Sequence, residues 1–124
     1  MRVWTADEAN AALPRVRAVV ERVRSLAKVA RERTDAAEEQ LLGNGHAPAG
    51  SAGVRAELAA AAGELAGEDI VLRDLDSGLV DFPAVSPSGR PYWLCWVAGE
   101  PEVAWWHWPE DGFAGRRPLG DPPG

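Results

Sequence analysis

Residues 92–108 read YWLCWVAGEPEVAWWHW, two short apolar runs on either side of the turn residues Gly99, Glu100 and Pro101. Runs of this length, rich in tryptophan and valine and broken by Gly and Pro, are strand chemistry, and a hairpin is the simplest way to join them. With that turn, Ala98 faces Glu102, Val97 faces Val103, Cys95 faces Trp105 and Trp93 faces His107. The pleat then puts Trp93, Cys95, Val97, Val103, Trp105 and His107 on one face, and Leu94, Trp96, Glu102, Ala104, Trp106 and Trp108 on the other. Both faces are aromatic, so each needs a cover: a layer of helices on one, the C-terminal tail or a second copy of the chain on the other. A homodimer is the expectation. A slip of one residue would reverse every facing.

Outward from this hairpin the strand pattern continues upstream. LVDFPAV (79–85) reads as a strand, SPSG (86–89) as a loop, IVLRDL (70–75) as a strand or its approach, and DSG (76–78) as a turn. Together they predict an antiparallel meander of three or four strands over 70–108. The tail, PEDGFAGRRPLGDPPG (109–124), has too much Gly and Pro for regular structure; it is expected to wrap irregularly over 109–119 and to be disordered over 120–124.

The first half is helical. Thr5 and Glu8 form the capping box T-x-x-E at a helix start. Ala9, Leu13, Val16, Val20, Val23, Ala27 and Ala30 then recur at steps of four and three, the seam of a helix packed along another helix, and Thr34, Ala37 and Leu41 continue it. Arg15, Arg17, Arg22, Arg24, Arg31 and Arg33 give this helix a basic flank. Pro14 removes a helical hydrogen bond and predicts a kink or a fresh start near 10–14. GNGHAPAGSAG (43–53) reads as a flexible connection with a solvated His46. A second helix over about 54–66 carries Val54, Leu58, Ala61 and Leu65, with Gly67 as its C-cap. The fold class is therefore α+β: a single domain over 1–119, in which an antiparallel helical hairpin (5–67), its first helix kinked, packs on the meander.

Composition narrows the function. The 124 residues carry a net charge of −6, which repels nucleic acid and anionic membrane surfaces. The charge is uneven: residues 1–33 hold eight Arg/Lys against four Asp/Glu, and 68–112 hold two against nine, so the two regions attract each other within a chain or across a dimer. Cys95 is the only cysteine, which excludes an intrachain disulfide and a cysteine-rich zinc site and fits a reducing, cytoplasmic setting. No stretch approaches the roughly 18 apolar residues of a membrane span, and MRVWTADEAN has no signal core. Phosphate-loop, dinucleotide-binding, HExxH and GxSxG motifs are absent.

The chemistry-bearing residues are few. His107 has three readings: a histidine satisfied by a carboxylate or carbonyl, a metal ligand or acid/base group, and a surface residue. Asp81, acidic in the middle of an apolar strand, is costly unless paired. Its partner is either a metal shared with His107 or an arginine: Arg90, Arg116 or one from the first helix. Glu8, Glu100 and Glu102 are candidates for a third ligand. Glu100, at the hairpin tip, lies roughly 20 Å from His107 along an extended strand and meets it only across a dimer or through a bend. Cys95 between Leu94 and Trp96 reads as a buried hydrophobe before it reads as a nucleophile. Arg116 and Arg117 offer forked donors to a carboxylate or phosphate, or clamp the tail onto the acidic sheet.

WTADEANAALPRV (4–16), GLVDFPA (78–84), LCWVAGEPEVAWWH (94–107) and GFAGRRPL (112–119) together resemble the bacterial family known as domain of unknown function 2203. The resemblance covers the first helix and nearly all of 70–119; the long Gly/Ala insertion between the helices departs from it. It implies no activity, since the family has none established. It does imply that Asp81, Phe82, Pro83, Cys95, Trp96, Gly99, Glu100, Trp106, His107, Gly112, Phe113 and Arg116 stand at motif positions. The leading expectation is a small-ligand or metal-binding protein. Asp81, Glu100 and His107 would hold a divalent transition metal, zinc or iron, and Arg116, Trp106 and Cys95 a small anionic ligand. If the protein is an enzyme, metal-activated water is the reagent. The alternative is a dimeric interaction module without chemistry, its polar residues paired with one another.

Overall fold

In the computed structural model, residues 1–43 and 51–124 are described, with the side chains of 33–43 and 51 left aside. His46 and most of the expected connection lie outside the described residues, as do the side chains of Thr34, Ala37 and Leu41. The elements are α1 (Ala6–Gly43), α2 (Ser51–Ala66), β1 (Val71–Asp74), β2 (Leu79–Val85), β3 (Pro91–Val97), β4 (Trp105–His107), a 3-10 turn (Phe113–Gly115) and β5 (Arg117–Pro118). α2 thus begins at Ser51, inside the stretch read as connection. The sheet is an antiparallel meander in the order β1-β2-β3-β4-β5.

α1 starts at the capping box: Thr5 N–H donates to Glu8 Oε1 (3.0 Å), and Glu8 N–H to Thr5 Oγ1 (3.1 Å). Trp4, just before the cap, packs edge-on against Phe82, with ring centroids 5.4 Å apart. The seam residues Ala9, Leu13, Val16, Val20, Val23 and Ala27 are buried, as are Val54, Ala61 and Leu65 of α2. α1 runs through Pro14 without a fresh start. Pro14 is exposed, while Ala12, Leu13 and Val16 around it belong to the core, so packing outweighs the one lost hydrogen bond. The turn that closes α2 takes its left-handed residue not from Gly67 but from Asp69 (φ 62°). Asp69 N–H bonds to Ala66 O and Ile70 N–H to Leu65 O, the paired bonds of a Schellman motif, and Leu65 and Ile70 join the core.

Val80, Phe82, Ala84, Leu94, Trp96 and Trp106 point from the sheet into this core, against Ala9, Leu13, Val16 and Val20. The hairpin register is the expected one where the strands pair: Trp93 opposite His107 and Cys95 opposite Trp105. Val103 differs. Pairing stops at Trp105, and the Asn10 side chain clamps both backbone groups of Val103 (2.7 and 3.1 Å), turning it into the core. The tail supplies a fifth strand where three or four were expected: Pro118 pairs with Trp105 and Arg117 with Trp106. A proline is tolerated there because β5 is an edge. Residues 120–124, expected to be disordered, lie against the sheet. Trp106 Nε1–H donates to Asp121 O (2.9 Å), Ser88 Oγ–H to Gly124 O (2.8 Å), and Pro123 is buried.

The basic flank of α1 meets acidic residues of the same chain. Arg15 pairs with Glu68, Arg22 with Glu64 and Arg31 with Asp76. Gly78, in the β1–β2 turn, marks a close approach of α1 to the sheet: a Cβ there would lie 2.8 Å from both Val20 Cγ1 and Ala98 Cβ, at φ +70°. Gly78→Ala should therefore cost about 2–4 kcal/mol, from left-handed strain plus overpacking. A urea unfolding midpoint checks it, and an unchanged midpoint would mean that the helix is not held this close.

Candidate functional site

Parity along β2 decides the position of Asp81. Val80 and Phe82 on either side of it enter the core, so the carboxylate must emerge on the face away from the helices. Asp81 pairs with Cys95 of β3, and His107 of β4, paired with Trp93, stands diagonal to that cysteine. All three are buried, at 2, 0 and 4% exposure. One donor atom from each lies within 4.8 Å of the other two.

The imidazole is held at both ends. Nδ1 is 2.8 Å from the Trp108 carbonyl oxygen, and Nε2 is 3.1 Å from Asp81 Oδ2. A carbonyl only accepts, so Nδ1 carries a hydrogen and donates it, and Nε2 faces the Asp81 carboxylate. Arg73 Nε–H donates to the same Oδ2 at 3.0 Å, and its guanidinium lies 4.7 Å over the Trp93 ring. Asp81 Oδ1 is buried with no hydrogen-bond partner among the described residues. Cys95 stands beside it as a thiol: burial first, and the Asp81 carboxylate second, push its pKa far up from the ordinary range.

Beside Asp81 and His107 a cavity of about 310 Å³ is walled by Arg73, Leu79, Pro109, Gly112 and Phe113. Gly112 sits at φ 62°, ψ −165°, a conformation essentially confined to glycine, and swings the chain into the 3-10 turn that carries Phe113.

Of the residues singled out in the sequence, Asp81, Cys95 and His107 converge; Cys95 joins the donors rather than a ligand wall. Glu100 and Arg116 form their own pair. Glu100 Oε1 accepts the Val97 N–H (2.8 Å), and its two carboxylate oxygens accept from Arg116 Nη2 at 2.8 and 2.7 Å. The Arg116 guanidinium lies 4.9 Å from the rings of both Trp105 and Phe113. Trp106 is on the opposite face, in the core. Glu8 serves the helix cap, and Glu102 is exposed. The arginine on Asp81 is Arg73, whereas Arg90 pairs with Glu110. Arg73 escaped the sequence reading because the β1–β2 register, which pairs Val71 with Asp81 and so puts Arg73 on the Asp81 face, was not fixed by local pattern.

Fold and site together define a small α+β protein with a buried Asp/Cys/His cluster beside an open cavity. Residues 2–119 match the family described as uncharacterized conserved protein DUF2203, and the chain belongs to it. No curated protein and no solved structure matches. Among the described residues no helix is long and apolar enough to cross a membrane.

The raised Cys95 pKa has a measurable consequence in chelator-treated protein. The folded state keeps the thiol proton after the unfolded chain has lost it, so the contribution is intact below the ordinary value of 9.0 and is lost as pH rises above it. Between pH 9 and 10, unfolding free energy should fall by about 1 kcal/mol, the slope steepening toward about 1.4 kcal/mol per pH unit above that. Cys95→Val should flatten that slope; an identical slope in the variant would assign it to another group.

Proposed function

We propose that the protein binds a divalent transition metal, zinc or iron, through Asp81, Cys95 and His107. The observation that carries this reading is the Asp81 Oδ1 atom, buried and unpartnered beside a buried thiol and an imidazole whose far nitrogen is already anchored. A buried carboxylate oxygen without a partner is uncommon enough to require a cause, and a histidine donating one N–H to a backbone carbonyl is the usual support for a metal ligand. Sulfur, nitrogen and oxygen donors suit zinc and iron, with bonds of about 2.0–2.3 Å for zinc; that puts ligand atoms about 3.5 Å apart, a small contraction from the 4.8 Å limit. Three protein ligands leave a position for a small anionic ligand or water from the cavity. A lone thiol in this role fits a reducing, cytoplasmic setting.

Loading releases the Cys95 proton. Affinity should therefore fall as pH falls, by about tenfold per pH unit for each proton released. Elemental analysis of untagged protein purified without chelator should give about one zinc or iron per chain. His107→Ala and Cys95→Ser should each lower metal content at least about tenfold while far-UV circular dichroism stays that of the native fold. Unchanged metal content in both variants would overturn the proposal.

The homodimer belongs with this reading: Trp93 and Trp105 remain only half-buried on the site face, and a second copy would cover them. Sedimentation should give twice the chain mass; a monomer mass at every concentration removes the dimer.

A further inference from the structure

We propose that the cavity beside Asp81 and His107 receives a small monocarboxylate, anchored by Arg73. The inference rests on the metal reading of the same site and adds a ligand class and the residue that selects it. Arg116, the anion-binding arginine expected from the sequence, is engaged through Nη2 with both oxygens of Glu100. Arg73 is engaged only through Nε, which holds Asp81; its Nη1 and Nη2 have no partner among the described residues. The guanidinium is half-exposed, lines the cavity and is supported on one flat side by Trp93. Two adjacent N–H groups at the end of a fixed planar fork match the two oxygens of a carboxylate.

Charge fixes the valence of the guest. With a divalent ion bound, the Asp81 carboxylate and the Cys95 thiolate cancel it, and Arg73 leaves one positive charge. Glu100 and Arg116 cancel each other. A monoanion balances that charge, whereas a phosphate dianion adds a charge that nothing meets beside the Asp81 carboxylate. The remaining walls, Leu79, Pro109 and Phe113, are apolar, so the guest carries an apolar body behind its carboxylate. At about 310 Å³ the space is at the small end of ligand pockets.

Benzoate is the probe, with benzamide as its neutral counterpart and inorganic phosphate as the alternative anion. Each is titrated into zinc-loaded and chelator-treated full-length protein and followed by amide chemical shifts, with zinc content measured in parallel. Saturable benzoate shifts around Arg73 and Phe113, absent with benzamide, support the proposal. So does a loss of benzoate affinity of at least about tenfold in Arg73→Gln, the size expected when a charge-assisted fork is removed. Phe113→Ala, which removes an exposed ring from the cavity wall and no metal donor, should weaken benzoate with zinc content unchanged. Zinc bound without saturable benzoate binding overturns this inference and leaves the metal reading standing. Benzoate bound in an Arg73-dependent way by protein that takes up no zinc does the reverse. Phosphate binding tighter than benzoate overturns the carboxylate assignment.

Discussion

The pleat of β2 and β3 is the constraint on which the molecule rests. One residue step separates Phe82 and Leu94, under the helices, from Asp81 and Cys95 on the far face. A sheet cannot bury one set without committing the other, because successive side chains alternate along strands paired in continuous register, as β2 and β3 are. The helical layer therefore fixes the site indirectly. By taking Val80, Phe82, Ala84, Leu94 and Trp96 into the core, it turns a carboxylate and a thiol outward at a single place, where β4 adds an imidazole. The polar cluster is costly to bury, and the apolar residues of the same strands hold it there.

The far face is finished by arginines lying on aromatic rings. Arg73 lies over Trp93, and Arg116 over Trp105 and Phe113. These contacts explain how a surface with so much tryptophan is partly covered by its own chain: the guanidinium plane shields a ring while its edges stay available to carboxylates. The opposite charges of the two chain regions are likewise satisfied internally, α1 arginines meeting Glu64, Glu68 and Asp76. That intramolecular pairing accounts for the charge asymmetry read from the sequence without a second chain.

Periodicity and turn chemistry carried the legible part of the fold. The capping box at Thr5, the four-and-three seam of α1 and the Trp93–His107 register all rest on local rules, and local rules are what a single sequence displays. Cys95 and His107 could be put on one face for the same reason, while the place of Asp81 opposite Cys95 came only with the β2–β3 register. What the sequence hid depends on contacts far along the chain or on backbone irregularity. Val103 turns inward because Asn10 clamps it, Arg73 reaches Asp81 through the β1–β2 register, and Arg117–Pro118 becomes a strand only because β4 offers an edge. Asp69 closes α2 in place of Gly67 since aspartate also tolerates the left-handed conformation that the motif requires. Glu100 was drawn toward His107 by composition alone; the structure ties it to Arg116 instead.

The strand order also sets when the cluster can form. β2, β3 and β4 follow one another as hairpins, so the three donors are gathered by closing short loops, whereas the Asn10–Val103 clamp that locks helix to sheet joins residues 93 positions apart. Loop closure grows more expensive in chain entropy with the length enclosed, and contacts of high sequence separation are the slow ones. The chemistry thus lies where the enclosed loops are short, while the helical layer that excludes water from the opposite face depends on contacts far apart in the chain.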